Sequence, residues 1–96
     1  MNAIILKSIQ QSKVLELRYH NYSRTVEPHA YGRDKMGEEI LRCYQTSGGS
    51  ESGEQVGWKL LKVRETFSVD LSVISFSSRL GYKRNDQAME YIFDQL

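Results

Sequence analysis

Hydrophobic and polar residues alternate over most of this chain, and alternation with a period of two is typical of β-strands. In the run 13–20, the side chains of Leu15, Leu17 and Tyr19 fall on one side and polar side chains fall on the other. The same pattern predicts four further strands, at 24–31, 38–46, 56–63 and 67–71.

Helical spacing replaces this alternation at both ends of the chain. Residues 2–11 are predicted to form a short helix. Its apolar face carries Ile5, Leu6 and Ile9. Near the other end, Asn85 is a suitable helix N-cap and Asp86 would favour the first turn of a helix. The apolar stripe that follows has i, i+3 and i+4 spacing and consists of Ala88, Met89, Ile92, Phe93 and Leu96. A second helix is therefore predicted at about 85–96, docked on the sheet or on a partner.

Five short strands with a helix at each end predict a mainly β (α+β) domain built on a small, strongly bent sheet or β-barrel. The barrel core is expected at about 13–76, and its closure would remove the edge strands that invite aggregation. A chain of 96 residues has room for one hydrophobic core, so residues 1–96 are predicted to form a single domain.

The formal net charge of +1 restricts how the chain can bind nucleic acid. A protein that holds long nucleic acid through phosphate contacts normally carries a basic excess, whereas a small anionic ligand needs only two or three local cations. The single cysteine, Cys43, cannot form an intrachain disulfide. No apolar run approaches the ~18 residues needed to span a bilayer, and residues 1–7 lack a signal-peptide pattern. The chain is predicted to be cytoplasmic, with no membrane partner.

The richest chemistry lies in the stretch 24–32, which contains the only proline of the chain, Pro28. Proline fixes its own φ and removes one donor from a strand ladder. Regular alternation would place Glu27, His29 and Tyr31 on the same side of the strand. A carboxylate, an imidazole and a phenol in a row favour a recognition surface, and a solvated sheet face is the alternative.

Arg24 of this stretch and aromatic side chains of the later strands extend this candidate surface. Arg24 offers the planar fork that grips a phosphate or carboxylate, while Tyr44 and Trp58 offer rings for stacking a base, worth about 1–3 kcal/mol per base. The alternative is that Tyr19 and Trp58 are core residues with satisfied polar tips.

Two further segments each allow two interpretations. Glycines and serines at 47–54 predict a mobile loop, or a loop whose backbone N–H groups bind an anion. The basic run 79–84 is either a solvated connector or a contact to a nucleic-acid backbone.

Other site chemistry finds little support in the sequence. The residues His20, His29 and Cys43 fit no compact zinc spacing, so neither a metal site nor a cofactor is predicted. No Gly-x-Ser-x-Gly elbow is present, and Cys43 lies within a predicted strand rather than at a helix start. We therefore predict that the protein is not an enzyme and has no catalytic residues.

Over residues 4–71 the chain resembles the WYL domain family. The resemblance is carried by the Arg24-x-Val26-x-Pro28 element, the Leu41-x-x-Tyr44 strand and the Trp58-Lys59-Leu60-x-Lys62-Val63 strand. It implies an Sm-like, SH3-like β-barrel and is strongest to a stand-alone bacterial subgroup. Domains of this family commonly follow a winged helix-turn-helix in bacterial transcription regulators, including ones tied to phage defence. They are thought to sense nucleic acid or nucleotide-derived ligands.

The resemblance also implies roles for individual residues. Arg24 and Lys62 would bind phosphate, and Lys62 stands where the family usually has arginine. Two positions depart from the family pattern, since Glu39-Ile40-Leu41 replaces the naming Trp-Tyr-Leu and Gly57 stands where an arginine is usual. The complete set of predicted ligand-binding residues is Arg24, His29, Tyr31, Tyr44, Trp58 and Lys62.

Together these observations predict a ligand-sensing regulatory module for a nucleotide, an oligonucleotide or single-stranded nucleic acid, in transcription regulation or phage defence. The alternative is a protein interaction module that pairs with itself or with a regulator through the predicted C-terminal helix.

Overall fold

One α-helix and six β-strands make up the chain in a computed structural model, which describes residues 1–96. The elements are α1 (Ala3–Gln11), β1 (Lys13–Tyr19), β2 (Tyr22–Arg33), β3 (Glu39–Gly48), β4 (Gly57–Lys62), β5 (Thr66–Ser75) and β6 (Tyr91–Gln95). A single 3₁₀ turn, Val63–Glu65, joins β4 to β5. No helix in the structure has the length and the apolar composition needed to cross a membrane.

Helix α1 begins and ends at residues whose chemistry suits those positions. The side-chain oxygen of Asn2 accepts hydrogen bonds from the N–H groups of Ile4 and Ile5, which have no partner within the helix. The C-terminal cap is Ser12, which adopts a left-handed conformation with φ 52°. Its N–H donates to the carbonyl oxygens of Ser8 and Ile9 in the last turn. Strand β1 follows immediately.

All strand pairs are antiparallel, and the sheet order is β4-β3-β2-β1-β5. Strand β2 has 12 residues and serves two partners along one edge. Its first half pairs with β1, from Leu15 opposite Val26 to Tyr19 opposite Tyr22. Its second half pairs with β6, from Ala30 opposite Gln95.

The predicted closed five-stranded barrel, Sm-like or SH3-like, is wrong. Strands β4 and β5 lie at opposite ends of the sheet and do not pair, so the sheet is open. The outer strand β5 is instead irregular, because its register against β1 shifts twice. Irregularities of this kind twist an exposed edge away from other strands, which protects it from pairing with another chain.

The predicted C-terminal helix at 85–96 is also wrong. Asn85 has φ 60° and is not a helix cap, and the end of the chain forms β6. Strand pairing decides the outcome, because β1 leaves the second half of β2 without a partner and buried backbone groups must be paired. Close contact is possible because position 32 is glycine: a Cβ there would lie 2.1 Å from the Tyr91 carbonyl oxygen.

The main core lies between α1 and one face of the sheet. Its buried residues are Ile5, Ile9, Leu15, Leu17, Tyr19, Val26, Tyr31, Leu41, Cys43 and Leu61. The opposite face, here called the outer face, carries a smaller cluster of Ala30, Ile40 and Met89.

A β-bulge in β2 determines which side chains reach each face. Pro28 pairs with Cys43 and Ala30 pairs with Arg42, so His29 is an extra residue with no opposite number on β3. Tyr31 therefore lies in the main core, whereas His29 lies on the outer face. The prediction that Glu27, His29 and Tyr31 share a side is wrong for Tyr31.

A candidate ligand-binding cleft

A row of three side chains crosses the outer face at the level of the bulge. Glu27 on β2 lies opposite Tyr44 on β3, and Tyr44 lies opposite Trp58 on β4. The rings of Tyr44 and Trp58 meet edge to face with centroids 5.4 Å apart. The His29 ring reaches the same place, with its centroid 4.8 Å from that of Trp58. The structure therefore brings together three of the predicted site residues, His29, Tyr44 and Trp58.

Both ring nitrogens of the fully buried His29 are occupied. Nε2 accepts a hydrogen bond from the backbone N–H of Arg79 at 3.0 Å. Since Nε2 is an acceptor, the ring proton is on Nδ1, which donates to the carbonyl oxygen of Glu27 at 2.8 Å. Burial lowers the pKa of His29 below its usual value of 6.5, because desolvation disfavours the charged imidazolium. The imidazole is therefore neutral in the folded protein near pH 7.

The segment 76–90, here called the crossing segment, lies across this row. Arg79 forms a two-pronged ion pair with Glu27, since its Nε and Nη2 donate to the two carboxylate oxygens at 2.9 Å each. Its guanidinium also lies 4.4 Å from the centroid of the Tyr44 ring. These contacts hold the start of the crossing segment against β2 and β3.

A second ion pair holds the far end of the crossing segment. Arg42 on β3 donates from Nε and Nη2 to the carboxylate of Asp86, at 2.6 and 3.3 Å. Burial alone would raise the pKa of Asp86, but hydrogen bonds from Arg42 and from the Ala88 N–H lower it below its usual value. The crossing segment is thus attached at both ends.

A cleft of about 400 Å³ lies between the two attachment points. The lining residues that matter for binding are Arg42, Trp58, Tyr82, Lys83, Arg84 and Gln87. The rings of Trp58 and Tyr82 are nearly parallel, at 29°, with centroids 6.2 Å apart. Lys83 and Arg84 are exposed and take part in none of the ion pairs of the structure. One wall is therefore aromatic and the next residues along the chain are free cations.

Glycine at position 81 allows a turn in the crossing segment beside Trp58. Gly81 has φ +93°, a conformation that residues with a Cβ rarely adopt, and a Cβ there would lie 3.6 Å from Trp58 Nε1. This turn directs Tyr82 toward Trp58 and places Lys83 at the cleft.

The predicted residue Arg24 lies outside the cleft. It is 5 % exposed, and its guanidinium carbon lies 5.1 Å from the Tyr19 ring centroid and 5.8 Å from that of Tyr22. Its Nη1 donates to the side-chain oxygen of Gln45 at 3.3 Å, while the buried Nε has no hydrogen-bond partner. No carboxylate forms an ion pair with Arg24, so aromatic faces and one amide compensate its charge.

Replacement of Arg24 by methionine is therefore expected to leave the free energy of unfolding within about 1 kcal/mol of the wild-type value, or to raise it. The lost cation–π contacts and the lost hydrogen bond to the buried Gln45 side chain are together worth about 1–3 kcal/mol, and removing an incompletely satisfied buried charge offsets this loss. Urea denaturation followed by circular dichroism measures the change. A loss of several kcal/mol would show instead that the guanidinium is well compensated.

The predicted residues Tyr31 and Lys62 also lie away from the cleft. The buried Tyr31 hydroxyl accepts a hydrogen bond from the Asn2 N–H at 2.7 Å and donates to the Glu39 carboxylate. Burial raises the pKa of Tyr31 to about 12. The half-exposed ammonium of Lys62 lies 3.9 Å from a carboxylate oxygen of Glu38.

The loop at 47–54 makes contacts of its own. Lys59 Nζ donates to the Glu54 carbonyl oxygen at 2.6 Å and to the Ser50 hydroxyl at 3.2 Å.

Within the structure, no group of three or more His, Cys, Asp and Glu side chains is placed to hold a metal ion. Burial raises the pKa of Cys43 to about 12, so this thiol is not a nucleophile near neutral pH.

Sequence reasoning did not include the contribution of the crossing segment to the site. The residues concerned are Arg79, Tyr82, Lys83 and Arg84. The sequence feature that indicates them is the basic run 79–84, which allows two interpretations, a nucleic-acid contact and a solvated connector. Its contacts on β2 lie about 50 residues earlier in the chain, so no local pattern indicates that it folds back onto the sheet.

Comparison with known proteins finds no matching family model, no matching curated protein and no matching solved structure. The resemblance to WYL domains therefore stays a prediction from the sequence.

Proposed function

We propose that the chain is a cytoplasmic, non-enzymatic ligand-sensing module that binds a nucleotide or a short stretch of single-stranded nucleic acid in this cleft. The observation that carries the proposal is the convergence of the Trp58 and Tyr82 rings with the free cations Lys83 and Arg84 on one volume of about 400 Å³. Every nucleobase has a flat face that can stack on an aromatic ring, whichever base it is, and cations neutralise the adjacent phosphate. A role in transcription regulation or phage defence rests on the WYL resemblance alone.

The charge distribution favours a small ligand over a long strand. The net charge is +1, and several cations are already engaged with carboxylates, including Arg42 and Arg79. Two free cations beside one aromatic wall match one or two phosphates. Binding by this arrangement is expected to weaken only moderately with salt, because few counterions are released.

Titration of the single tryptophan tests the proposal directly. Trp58 lines the cleft, so its fluorescence is expected to change when nucleotides or short oligothymidylates bind at low salt. No change with any of these ligands, together with no retention of labelled oligonucleotide, would overturn the proposed function.

Removing the two free cations is expected to weaken binding and to flatten its salt dependence. In the double variant Lys83→Ala/Arg84→Ala, the slope of log Kd against log salt should fall by about 1–2. The matched control is Lys7→Ala/Lys35→Ala, which removes two exposed cations outside the cleft and should leave the slope unchanged. Equal slopes for the two double variants would exclude phosphate binding at Lys83 and Arg84.

A further inference from the structure

His29 joins the first part of the crossing segment to the sheet through hydrogen bonds of its ring and of its carbonyl oxygen. Its Nε2 accepts the Arg79 N–H, and its carbonyl oxygen accepts the Tyr82 hydroxyl at 3.3 Å and the Leu96 N–H at 2.8 Å. The ring also packs against Trp58 and Tyr82, with centroids 4.8 and 4.9 Å away. One residue thus contacts both the aromatic wall of the cleft and the segment that carries its cations.

We propose that His29 is a positioning residue for the cleft, and that its protonation releases the crossing segment so that ligand binding is lost in acid. This inference rests on the proposed function and adds its regulation by pH. Both ring nitrogens are engaged by groups of the protein. His29 acts through Arg79 and Tyr82.

The geometry shows why a proton at Nε2 is incompatible with the docked segment. An Nε2–H would point at the Arg79 N–H, and two donors cannot share a hydrogen bond. The charged groups that face the ring are Glu27 on β2 and Arg79 on the crossing segment. The Glu27 carboxylate already receives both prongs of Arg79, whose cation opposes a second positive charge beside it. The other ring neighbours, Trp58, Phe76 and Tyr82, bring no carboxylate.

The sign of the pH effect follows from the direction of the shift. Docking buries the imidazole and lowers the pKa of His29 below 6.5, so the docked state binds fewer protons than the released state. Docking is therefore fully favourable above pH 6.5 and is lost as the pH falls through the lower pKa of the docked protein.

Ligand affinity measured against pH tests the inference in the intact chain. The probe is a short labelled oligothymidylate, whose phosphodiesters do not titrate in this range. The Kd is expected to rise by up to about tenfold per pH unit as the pH falls from 6.5 to the lower pKa of docked His29, since one proton is linked to release, and to level off below that pKa. His29→Gln keeps an acceptor for the Arg79 N–H and cannot be protonated, so whatever its affinity at neutral pH, the ratio of its Kd values at low and neutral pH should stay near one. His20→Gln removes the only other histidine and should keep the wild-type profile.

Hydrogen exchange without ligand measures release of the segment by itself. The Arg79 amide proton is hydrogen-bonded to the His29 ring, and the Tyr82 amide proton is hydrogen-bonded to the Arg79 carbonyl oxygen. Both should lose protection from exchange when the pH is lowered from about 7.5 to about 5. The loss should persist in His20→Gln and disappear in His29→Gln. If protection falls as expected but no oligothymidylate binds at any pH, the proposed function fails and the positioning role stands. If protection is unchanged in acid, or falls equally in His29→Gln, the positioning role is overturned.

Discussion

Replacing Tyr31 by alanine is expected to lower the free energy of unfolding by about 3–5 kcal/mol. The Tyr31 side chain is fully buried and packs in the main core with Leu41 and Ile5. Its ring meets that of Phe93 edge to face at 4.9 Å, which joins β2 to β6. Truncation leaves a large cavity between the helix and the sheet, and only one helix can shift to fill it. Urea denaturation gives the magnitude.

Two further variants separate the ring of Tyr31 from its hydroxyl. Tyr31→Phe should cost only about 1 kcal/mol, because it removes one hydrogen-bonding group at the edge of the core. Tyr91→Ala deletes the same atoms from a side chain that is 61 % exposed and should cost about 0.5 kcal/mol or less. Similar losses for Tyr31→Ala and Tyr91→Ala would place Tyr31 outside the core and would contradict the bulge at His29.

Replacing Trp58 by alanine is expected to weaken ligand binding about 5- to 150-fold, the equivalent of one base stack worth about 1–3 kcal/mol. Trp58 forms the sheet side of the aromatic wall and stacks with Tyr82 in the same wall. Because the variant has no tryptophan, the anisotropy of a labelled oligothymidylate measures its affinity.

A matched aromatic substitution controls for general effects of removing a ring. Phe67 on β5 is 66 % exposed and does not line the cleft, so Phe67→Ala should bind like the wild type. Trp58→Phe keeps a ring and should show an intermediate affinity. Wild-type affinity in Trp58→Ala, with the protein folded, would remove the aromatic wall from the proposed site.

The first five strands and the single helix could be predicted from local patterns. Period-two alternation at 13–20 reflects a sheet with one buried face, and β1 follows it closely. The cap at Asn2 and the apolar spacing after it mark α1. Each of these signals lies within about ten residues of chain.

The candidate site was predictable only in part. Tyr44 and Trp58 belong to neighbouring strands with regular register, so alternation suffices to place them together. Tyr31 was misplaced because a single extra residue reverses the alternation after it. Pro28 is compatible with a bulge at this point, but proline is also found in edge strands, so it does not by itself show that an extra residue is present. Arg24 was misplaced because a cation can be accommodated against aromatic faces in the interior.

By itself, the sequence determined the approximate positions of the first five strands and the helix, and the chemistry available to the site. Tertiary structure decided how the last twelve residues fold and which face each part of β2 presents. The apolar spacing of the last twelve residues is compatible with a helix. A strand forms instead, because it supplies hydrogen-bond partners to the backbone N–H and C=O groups along the second half of β2. Long-range hydrogen bonding of this kind depends on residues some sixty positions apart, and a local pattern contains no information about it.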